Sequence, residues 1–243
     1  MQEYLYQDLY ELEDKHFWHI AKRKAVSWLI EKYLLSKQAK ILDVGCGTGK
    51  NLETFKRYGQ TWGLDSSTEA IKFCQKRGLS NLKVGTASNT GYARNSFDLV
   101  TILDVLEHTD DDRTLQEIYQ ILKPGGIVVA TVPAYQWLWS DWDSVLHHKR
   151  RYTKGGLRKV LTNNNFKPLR ISYMNSYLIA PALIVRTIKK IVSKKNYGSD
   201  FSLSNSMLNF TFAQIAAGEL FLIKQRLIPF GLSIIAAARK PKN

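Results

Sequence analysis

The sequence contains few cysteines, and this bounds the kind of protein it encodes. Cys46 and Cys74 are its two cysteines in 243 residues, too few for a disulfide scaffold. Neither has neighbouring ligands that would make a metal site, so we expect a cytoplasmic protein without a metal ion. Uninterrupted apolar runs of about 18 residues are absent, and the N-terminus lacks the charged-then-apolar pattern of a secretory leader. We therefore expect neither a transmembrane helix nor secretion.

Acidic residues are scarce in the last two fifths of the chain. Residues 1–146 contain 17 Lys and Arg against 19 Asp and Glu, a net charge of −2. Residues 147–243 contain 18 Lys and Arg against two acids, Asp200 and Glu219, a net charge of +16. This asymmetry indicates an anionic partner: nucleic acid, a phosphorylated substrate or a membrane surface. A solvated basic face is the alternative interpretation.

The hydrophobic pattern changes after an N-terminal helical segment, residues 5–35. From there, short β-rich runs alternate with amphipathic stretches, which predicts parallel strands with helices on both faces of the sheet. The predicted strands are 40–44, 61–64, 82–84, 97–103, 127–132, 168–174 and 232–238, and the predicted helices are 49–58, 67–77, 111–121 and 153–163.

We expect a single domain, residues 1–243, made of four segments. They are an N-terminal helical lid (1–37), a core (38–175), a basic helical insertion (176–229), and a last strand with a tail (230–243). The insertion has two helical segments joined by the polar link SKKNYGSDFSLSNS.

Three glycines follow the first predicted strand, in the stretch ILDVGCGTGKN at 41–51. A strand, a glycine-rich turn and a helix form a nucleotide-type site, in which backbone amides face the ligand. Lys50 stands where the dinucleotide pattern G-x-G-x-x-G needs glycine. Asp65 ends the second predicted strand, 22 residues after Asp43, where an acid accepts both ribose hydroxyls.

Four motifs in order carry a family resemblance. DVGCGTG, WGLD, FDLVTILDVLEH and LKPGG resemble the motifs of class I S-adenosylmethionine-dependent methyltransferases, over about residues 38–172. The resemblance implies a Rossmann-like, doubly wound α/β fold with seven mostly parallel strands and an antiparallel last strand. It also implies S-adenosylmethionine as cofactor, with S-adenosylhomocysteine as product.

The resemblance assigns roles to the cofactor residues. Asp43 holds the methionine amino group, directly or through water, Asp65 takes the ribose hydroxyls, and Leu103 with Asp104 borders the methionine moiety. The adenine loop has Thr86 in place of the usual acid, and a hydroxyl accepts from the exocyclic amine more weakly. The expected cofactor-binding residues are Asp43, Gly45, Cys46, Gly47, Gly49, Asp65, Ser66, Thr86, Ala87, Leu103 and Asp104.

A second resemblance concerns the acceptor side. VPAYQWLWSDWD and HHKRRYT, with EDKHFWHIAKR and LIPFGLSIIAAARK, resemble a type 11-like methyltransferase subgroup associated with polysaccharide and lipid-linked glycan assembly. Its pattern D-x(4)-H-x-R-R-Y is matched by Asp143, His148, Arg150, Arg151 and Tyr152. His148 is therefore our first candidate for a general base.

Other residues complete the predicted acceptor site. His108, just past the fourth strand, is the second candidate base. Arg150 and Arg151 would clamp a phosphate or carboxylate, or else pair with Asp141 or Asp143. Aromatic residues would stack on a sugar or close the pocket, with a lid from the N-terminal helix. These residues are Tyr135, Trp137, Trp139, Trp142, Phe17 and Trp18, and the predicted acceptor-binding set is Tyr135, Trp139, Arg150, Arg151 and Tyr152.

The insertion predicts a surface for an anionic partner. Ile184, Ile188 and Ile191 form an apolar stripe opposite the basic residues Arg186, Lys189, Lys190 and Lys194, and residues 207–227 are apolar with few charges. Such helices bind the anionic inner face of a membrane. Packing on the core and a homodimer surface are the alternatives.

The expected function is methyl transfer to an oxygen or nitrogen of a small-molecule or lipid-linked, anionic acceptor such as a saccharide. An RNA methyltransferase is a rival interpretation, because basic and aromatic residues suit single strands. The sequence lacks a separate RNA-binding module and the Asn/Asp-Pro-Pro-aromatic signature. The other rival is a non-catalytic cofactor-binding or membrane-surface scaffold protein, which would have no need of Asp43 and Asp65.

Overall fold

The computed structural model describes residues 4–36, 38–191 and 206–242, and in it seven strands form one sheet. The order across the sheet is β3-β2-β1-β4-β5-β7-β6. Strands β1 to β5 pair in parallel, and β7 lies antiparallel between β5 and β6. The strands are β1 (Ala39–Val44), β2 (Gly59–Asp65), β3 (Leu82–Val84), β4 (Phe97–Leu103), β5 (Leu122–Pro133), β6 (Lys167–Met174) and β7 (Ser233–Arg239).

Nine α-helices are described in residues 4–36, 38–191 and 206–242, and they flank the sheet. They confirm the expected Rossmann-like class, with an antiparallel last strand. The helices are α1 (Tyr4–Leu12), α2 (Phe17–Tyr33), α3 (Lys50–Phe55), α4 (Thr68–Lys76), α5 (Asp111–Ile121), α6 (Asp141–Val145), α7 (Lys154–Asn163), α8 (Ile179–Ile191) and α9 (Ser206–Gln225).

The strand order reverses at β1, and this positions the site. After β1 the chain adds β2 and β3 on one side, and β4 and β5 on the other. Val44 is level with Leu64 of β2 and Ile102 of β4, so these three strands end at the same edge. Ligands of doubly wound sheets bind at the carboxyl ends of the strands, where the order reverses.

The helical segment predicted for residues 5–35 consists of two helices. Helix α1 ends at Leu12, and α2 begins at Phe17 after the N-cap residue His16, whose Nδ1 accepts from the Trp18 amide. The predicted helix 49–58 is also shorter, because a 3₁₀ turn (Lys56–Tyr58) replaces its end. Side-chain capping and local hydrogen bonds set these boundaries, and the hydrophobic period does not encode them.

Strand β5 begins earlier than predicted because the LKPGG segment joins it irregularly. Leu122 pairs with Phe97, and regular pairing resumes at Ile127 opposite Leu99. The residues between them form a bulge, with Gly125 at φ +82°. The predicted turn is therefore present, inside a longer strand.

Helix α1 is fastened to the glycine loop by a buried ion pair. Arg77, at the end of α4, donates from Nη2 to Glu13 (2.7 Å) and from Nε to the Thr48 carbonyl (2.9 Å). Both partners of the pair are less than a tenth exposed, and the Thr48 hydroxyl donates to Glu13. The pair therefore holds the N-terminal segment against residues 45–49.

Helices α8 and α9 are the two predicted helices of the insertion. Asn209 of α9 accepts from the Phe17 amide (2.8 Å), and Phe212 stacks on the Phe17 ring at 5.1 Å. The polar link lies outside the described residues, except for its final Ser206. The same is true of the Lys194 side chain and the α8 side chains Arg186, Ile188, Lys189, Lys190 and Ile191, so Ile184 alone represents the predicted stripe.

Helix α9 is long and apolar enough to span a bilayer. Its 20 residues include a window of mean hydropathy 1.3, of which 17% is buried. Much of this apolar surface therefore faces outward.

Candidate active site

The glycine loop joins β1 to α3, and packing within the protein explains two of its glycines. Gly45 and Gly49 have φ angles of +72° and +90°, which residues with a side chain rarely adopt. A Cβ on Gly45 would lie 2.3 Å from Val105 Cγ2, and one on Gly49 would lie 2.5 Å from Leu79 Cδ1. These two positions therefore require glycine in part because neighbouring side chains leave no room for a Cβ.

Asp43, at the end of β1, is fully buried and has one unsatisfied oxygen. Its Oδ1 accepts from the Thr101 hydroxyl at 2.6 Å. Its Oδ2 has no hydrogen-bond partner among the residues that the structure describes. Burial raises the pKa of Asp43 to about 7. An unpaired buried carboxylate is costly, so an ammonium group that reaches Oδ2 would satisfy it, and this fits the amino group of the expected cofactor.

Asp65, at the end of β2, ties the glycine loop to the next helix. Its Oδ2 accepts from the Gly47 amide (2.9 Å), and its Oδ1 accepts from the Ser67 amide (3.0 Å). Ser67 caps helix α4. Ser66 is exposed, and its predicted contact with the cofactor stays a prediction. Asp65 thus holds the loop in place, and its remaining lone pairs are available for ribose hydroxyls.

The remaining predicted cofactor residues lie on neighbouring loops. Cys46 is buried, with its Sγ 3.9 Å from Cys74 Sγ, which supports a packing role. Thr86 is exposed and Ala87 buried, just after β3, and Leu103 ends β4. These positions are compatible with cofactor contact, and their roles stay predictions.

Asp104 is held by a lysine that sequence reasoning missed. Its backbone is left-handed, at φ +56°. Its Oδ1 accepts from Thr131 (2.8 Å), and its Oδ2 contacts Lys22 Nζ of α2 at 2.5 Å. Burial opposes ionisation, but Lys22 outweighs it and lowers the pKa of Asp104. Nothing in the run IAKRK distinguishes Lys22 from its basic neighbours.

The structure brings both candidate bases together. The ring centroids of His108 and His148 are 4.7 Å apart, with the rings edge to face. His148 Nδ1 lies 2.8 Å from Asp143 Oδ1. Asp143 also accepts two bonds from Arg151, at 2.7 and 2.8 Å. Burial opposes ionisation, but the bonds from His148 and Arg151 hold the pKa of Asp143 well below its usual range. His148 Nδ1 is therefore the donor, and in a neutral imidazole Nε2 is then the acceptor.

Glu107 completes this group and was also missed as a site residue. It is fully buried, and its Oε1 lies 3.9 Å from His148 Nε2. Burial and the nearby Asp104 raise the pKa of Glu107, whereas burial lowers the pKa of His108 to about 4. We call Glu107, His108 and His148 the polar cluster.

The predicted acceptor arginines are paired within the protein. Arg151 binds Asp143, one of the two partners that the sequence offered, whereas Arg150 Nη1 binds Asp111 at 2.8 Å. The Tyr152 hydroxyl donates to the same Asp111 (2.8 Å) and is buried. These contacts give the three residues a role in holding the HHKRRYT segment, and acceptor binding by them stays a prediction.

The aromatic loop is partly packed and partly open. Tyr135 stacks on Tyr173 with ring centroids 5.1 Å apart, and Trp139 donates from Nε1 to Ser144 (3.4 Å). Phe17 is buried beside Leu138, while Trp137 is 64% exposed, and the lid role of Phe17 stays a prediction.

Comparisons with known proteins agree with this geometry. A family model described as "Methyltransferase domain" matches residues 42–130. The chain is 31% identical over 140 residues to demethylmenaquinone methyltransferase of Geobacillus sp. (strain WCH70), covering 52% of this chain and 60% of that protein. It is 34% identical over 97 residues to ubiquinone biosynthesis O-methyltransferase of Shewanella sp. (strain ANA-3), covering 37% and 41%.

A solved structure shows the same fold over nearly the whole chain. Phosphoethanolamine N-methyltransferase 2 of Haemonchus contortus, in complex with S-adenosylmethionine, superposes with a TM-score of 0.58 at 21% identity, covering 90% of this chain and 52% of that one. The chain spans about half the length of the curated relatives. Residues 42–130 therefore match the methyltransferase domain family, in a chain with the fold of the class I S-adenosylmethionine-dependent methyltransferases.

Proposed function

We propose that the protein transfers the methyl group of S-adenosylmethionine to an oxygen or nitrogen atom of a small-molecule acceptor. The observation that carries this proposal is the unpaired Oδ2 of Asp43 at the base of a bare glycine loop. Asp43 and Asp65 end adjacent parallel strands, one suited to an ammonium group and the other to ribose hydroxyls. The cofactor supplies the methyl group, and the protein supplies position and charge.

The polar cluster is where the acceptor would lose its proton. Glu107 and His108 lie three and four residues after Asp104, and Asp104 is expected to border the methionine moiety. Asp143 orients His148 and leaves Nε2 as a proton acceptor, so His148 Nε2 takes the proton. His108, in edge contact with His148, is the alternative base.

A lipid-linked acceptor fits the surroundings of the site. Helix α9 packs against α2, which also carries Lys22 to Asp104. Helix α2 therefore contacts both α9, with its outward apolar surface, and Asp104, beside the expected position of the methyl group. The related chains are named for demethylmenaquinone and for ubiquinone biosynthesis, and a lipid-linked saccharide remains our more specific proposal from the second sequence resemblance.

Transfer of label from radiolabelled S-adenosylmethionine to fractionated cell extract tests this function. We expect label in a small-molecule or lipid fraction, and none with the Asp43→Asn variant, which lacks the carboxylate. Label confined to RNA would favour the rival function. Absence of label from every fraction, despite cofactor binding, would support a scaffold.

Helix α9 and the basic charge of residues 147–243 suggest that the enzyme docks on an anionic membrane. Phe210 and Phe221 of α9 are 65% and 61% exposed, and the chain carries a net charge of +16 from residue 147 onward. Exposed aromatic residues beside basic ones are typical of helices that lie in the membrane interface.

Flotation with phosphatidylglycerol-containing vesicles tests the docking surface. We expect binding at low salt, weaker binding at high salt, and loss of binding with Phe210→Asp combined with Phe221→Asp. Leu35→Asp is the matched control, since Leu35 is 71% exposed and lies between α2 and β1, outside α9. Failure to float at low salt, or equal loss with the control, would discard the docking surface and leave the methyl transfer untouched.

A further inference from the structure

The polar cluster brings together ligand types that bind divalent transition metals. Glu107 and His108 lie in a 3₁₀ turn after β4 (Leu106–His108), and His148 follows α6. One carboxylate oxygen and two imidazole nitrogens, one from each residue, all lie within 4.8 Å of one another. Two histidines and a carboxylate are a common ligand set for zinc and related ions.

The Glu107 carboxylate lacks a partner of its own. It is 0% exposed, and neither of its oxygens has a hydrogen-bond partner among the described ranges 4–36, 38–191 and 206–242. A buried carboxyl group without a partner is costly whether it is charged or neutral. A bound cation would satisfy both oxygens at once.

His148 has the orientation of a metal ligand. Its Nδ1 bonds to Asp143 (2.8 Å), and its Nε2 points toward Glu107 Oε1, 3.9 Å away. Asp143 is itself 1% exposed and fixed by Arg151 and by Ser140. A carboxylate that binds the far nitrogen of a ligating histidine fixes the ring and raises its basicity.

We propose that Glu107, His108 and His148 form a binding site for a divalent transition-metal ion of the zinc class. Ligand atoms up to 4.8 Å apart must draw closer around an ion, and rotation of the His108 ring provides that movement. Asp143 acts as the supporting residue outside the ligand set. The sequence-based expectation of no metal was drawn from the cysteines alone, because the sequence does not show that Glu107, His108 and His148 lie together.

The site deepens the proposed function and rests on it for its role in methyl transfer. An acceptor hydroxyl that binds the cation would have a lower pKa and would lose its proton more easily. The ion then replaces His148 as the group that activates the acceptor, and both imidazoles serve as ligands. The binding of the ion itself does not depend on that role.

Titration calorimetry with Zn²⁺ or Co²⁺ on the full chain, stripped with EDTA and dialysed, tests the site. We expect one ion per chain and, with Co²⁺, visible absorption of a low-coordinate complex. His148→Asn and Glu107→Gln alter ligands and should weaken binding by more than the roughly 10- to 100-fold that is typical when a residue supporting a ligand is changed. His147→Asn is the control, because His147 is exposed and outside the cluster, and Asn tolerates its left-handed backbone at φ +57°.

Two results would overturn the proposal. One is stripped wild-type protein that binds no ion stoichiometrically, and the other is equal weakening by His147→Asn and His148→Asn. If His148→Asn does not fold, Glu107→Gln carries the test, because it keeps the shape of the side chain. S-adenosylmethionine binding by the stripped protein is measured alongside, so that failure of the metal site is distinguished from failure of the cofactor site.

Discussion

The buried carboxylate of Asp43 makes cofactor affinity depend on pH in a direction that the structure fixes. Its pKa is raised to about 7 by burial, so below pH 7 the free protein carries Asp43 protonated. The cofactor amino group has an ordinary pKa near 8 and stays an ammonium in this range. Binding therefore requires Asp43 to lose its proton first, and affinity falls as pH falls.

The size of the effect follows from the fraction of Asp43 that is ionised. That fraction is about one half at pH 7, about one tenth at pH 6 and about one hundredth at pH 5. Affinity for S-adenosylmethionine should drop about 50-fold from pH 7 to pH 5, or about 2.3 kcal/mol. Calorimetry or fluorescence titration at each pH measures it.

Asp43→Asn is the matched control, because an amide still accepts from Thr101 but carries no charge. The variant should bind more weakly at pH 7 and show a flatter profile down to pH 5. Other groups that titrate in this range affect both proteins and cancel in their ratio. A wild-type profile parallel to that of the variant would refute the role given to Asp43.

The raised pKa of Asp43 also predicts how the stability of the free protein depends on pH. Between pH 3.8 and 7 the folded state holds a proton that the unfolded state has lost, so the free energy of unfolding falls as pH rises through that window. Asp43→Asn should therefore be the more stable protein at pH 8.

Three further variants test the site and its supports. Gly45→Ala should cost about 2–4 kcal/mol in urea unfolding, from overpacking and a left-handed backbone, whereas Gly78→Ala, left-handed but in open space, should cost about 1 kcal/mol; equal costs would contradict the packing argument. His148→Ala should lower turnover while cofactor affinity stays unchanged, and full activity would remove the polar cluster from the chemistry. Arg77→Met strands Glu13 as a buried charge and should cost about 3–5 kcal/mol, so a shift below 1 kcal/mol would show that the ion pair does not fasten the N-terminal segment.

The strands of the core could be predicted from the sequence because each is a short β-rich run between amphipathic stretches, and this pattern is local. Leu82–Val84 and Phe97–Leu103 both appear in the structure as predicted. Phe97–Leu103 is the clearer example, because a mostly apolar run of this length is typical of a buried strand. The break between α1 and α2 could not be predicted in this way. It depends on the local cap at His16, which the hydrophobic period does not encode, and on the burial of Glu13 against Arg77, which lies 64 residues further along the chain.

The candidate site likewise contains residues that a sequence pattern identifies and residues that only the folded structure identifies. Asp65 was found because it ends the second strand, 22 residues after Asp43, and Asp43 was assigned its role through the family resemblance of DVGCGTG. Lys22 was missed because its partner Asp104 is 82 residues away, and a basic residue on a helix has no distinguishing pattern. Glu107 was missed because what marks it as a site residue is a buried carboxylate without a hydrogen-bond partner, and only the folded structure shows this. The arginines of HHKRRYT gave a pattern without a unique partner, and the structure pairs one with Asp143 and the other with Asp111.

Calorimetric titration of the wild-type chain and of Asp65→Ala with S-adenosylmethionine tests the central claim most directly. The proposed site predicts one cofactor per chain for the wild type, and binding weaker by about 1–3 kcal/mol for the variant, which leaves ribose hydroxyls unpaired. No heat of binding with S-adenosylmethionine, or equally tight binding of a nicotinamide dinucleotide, would contradict it.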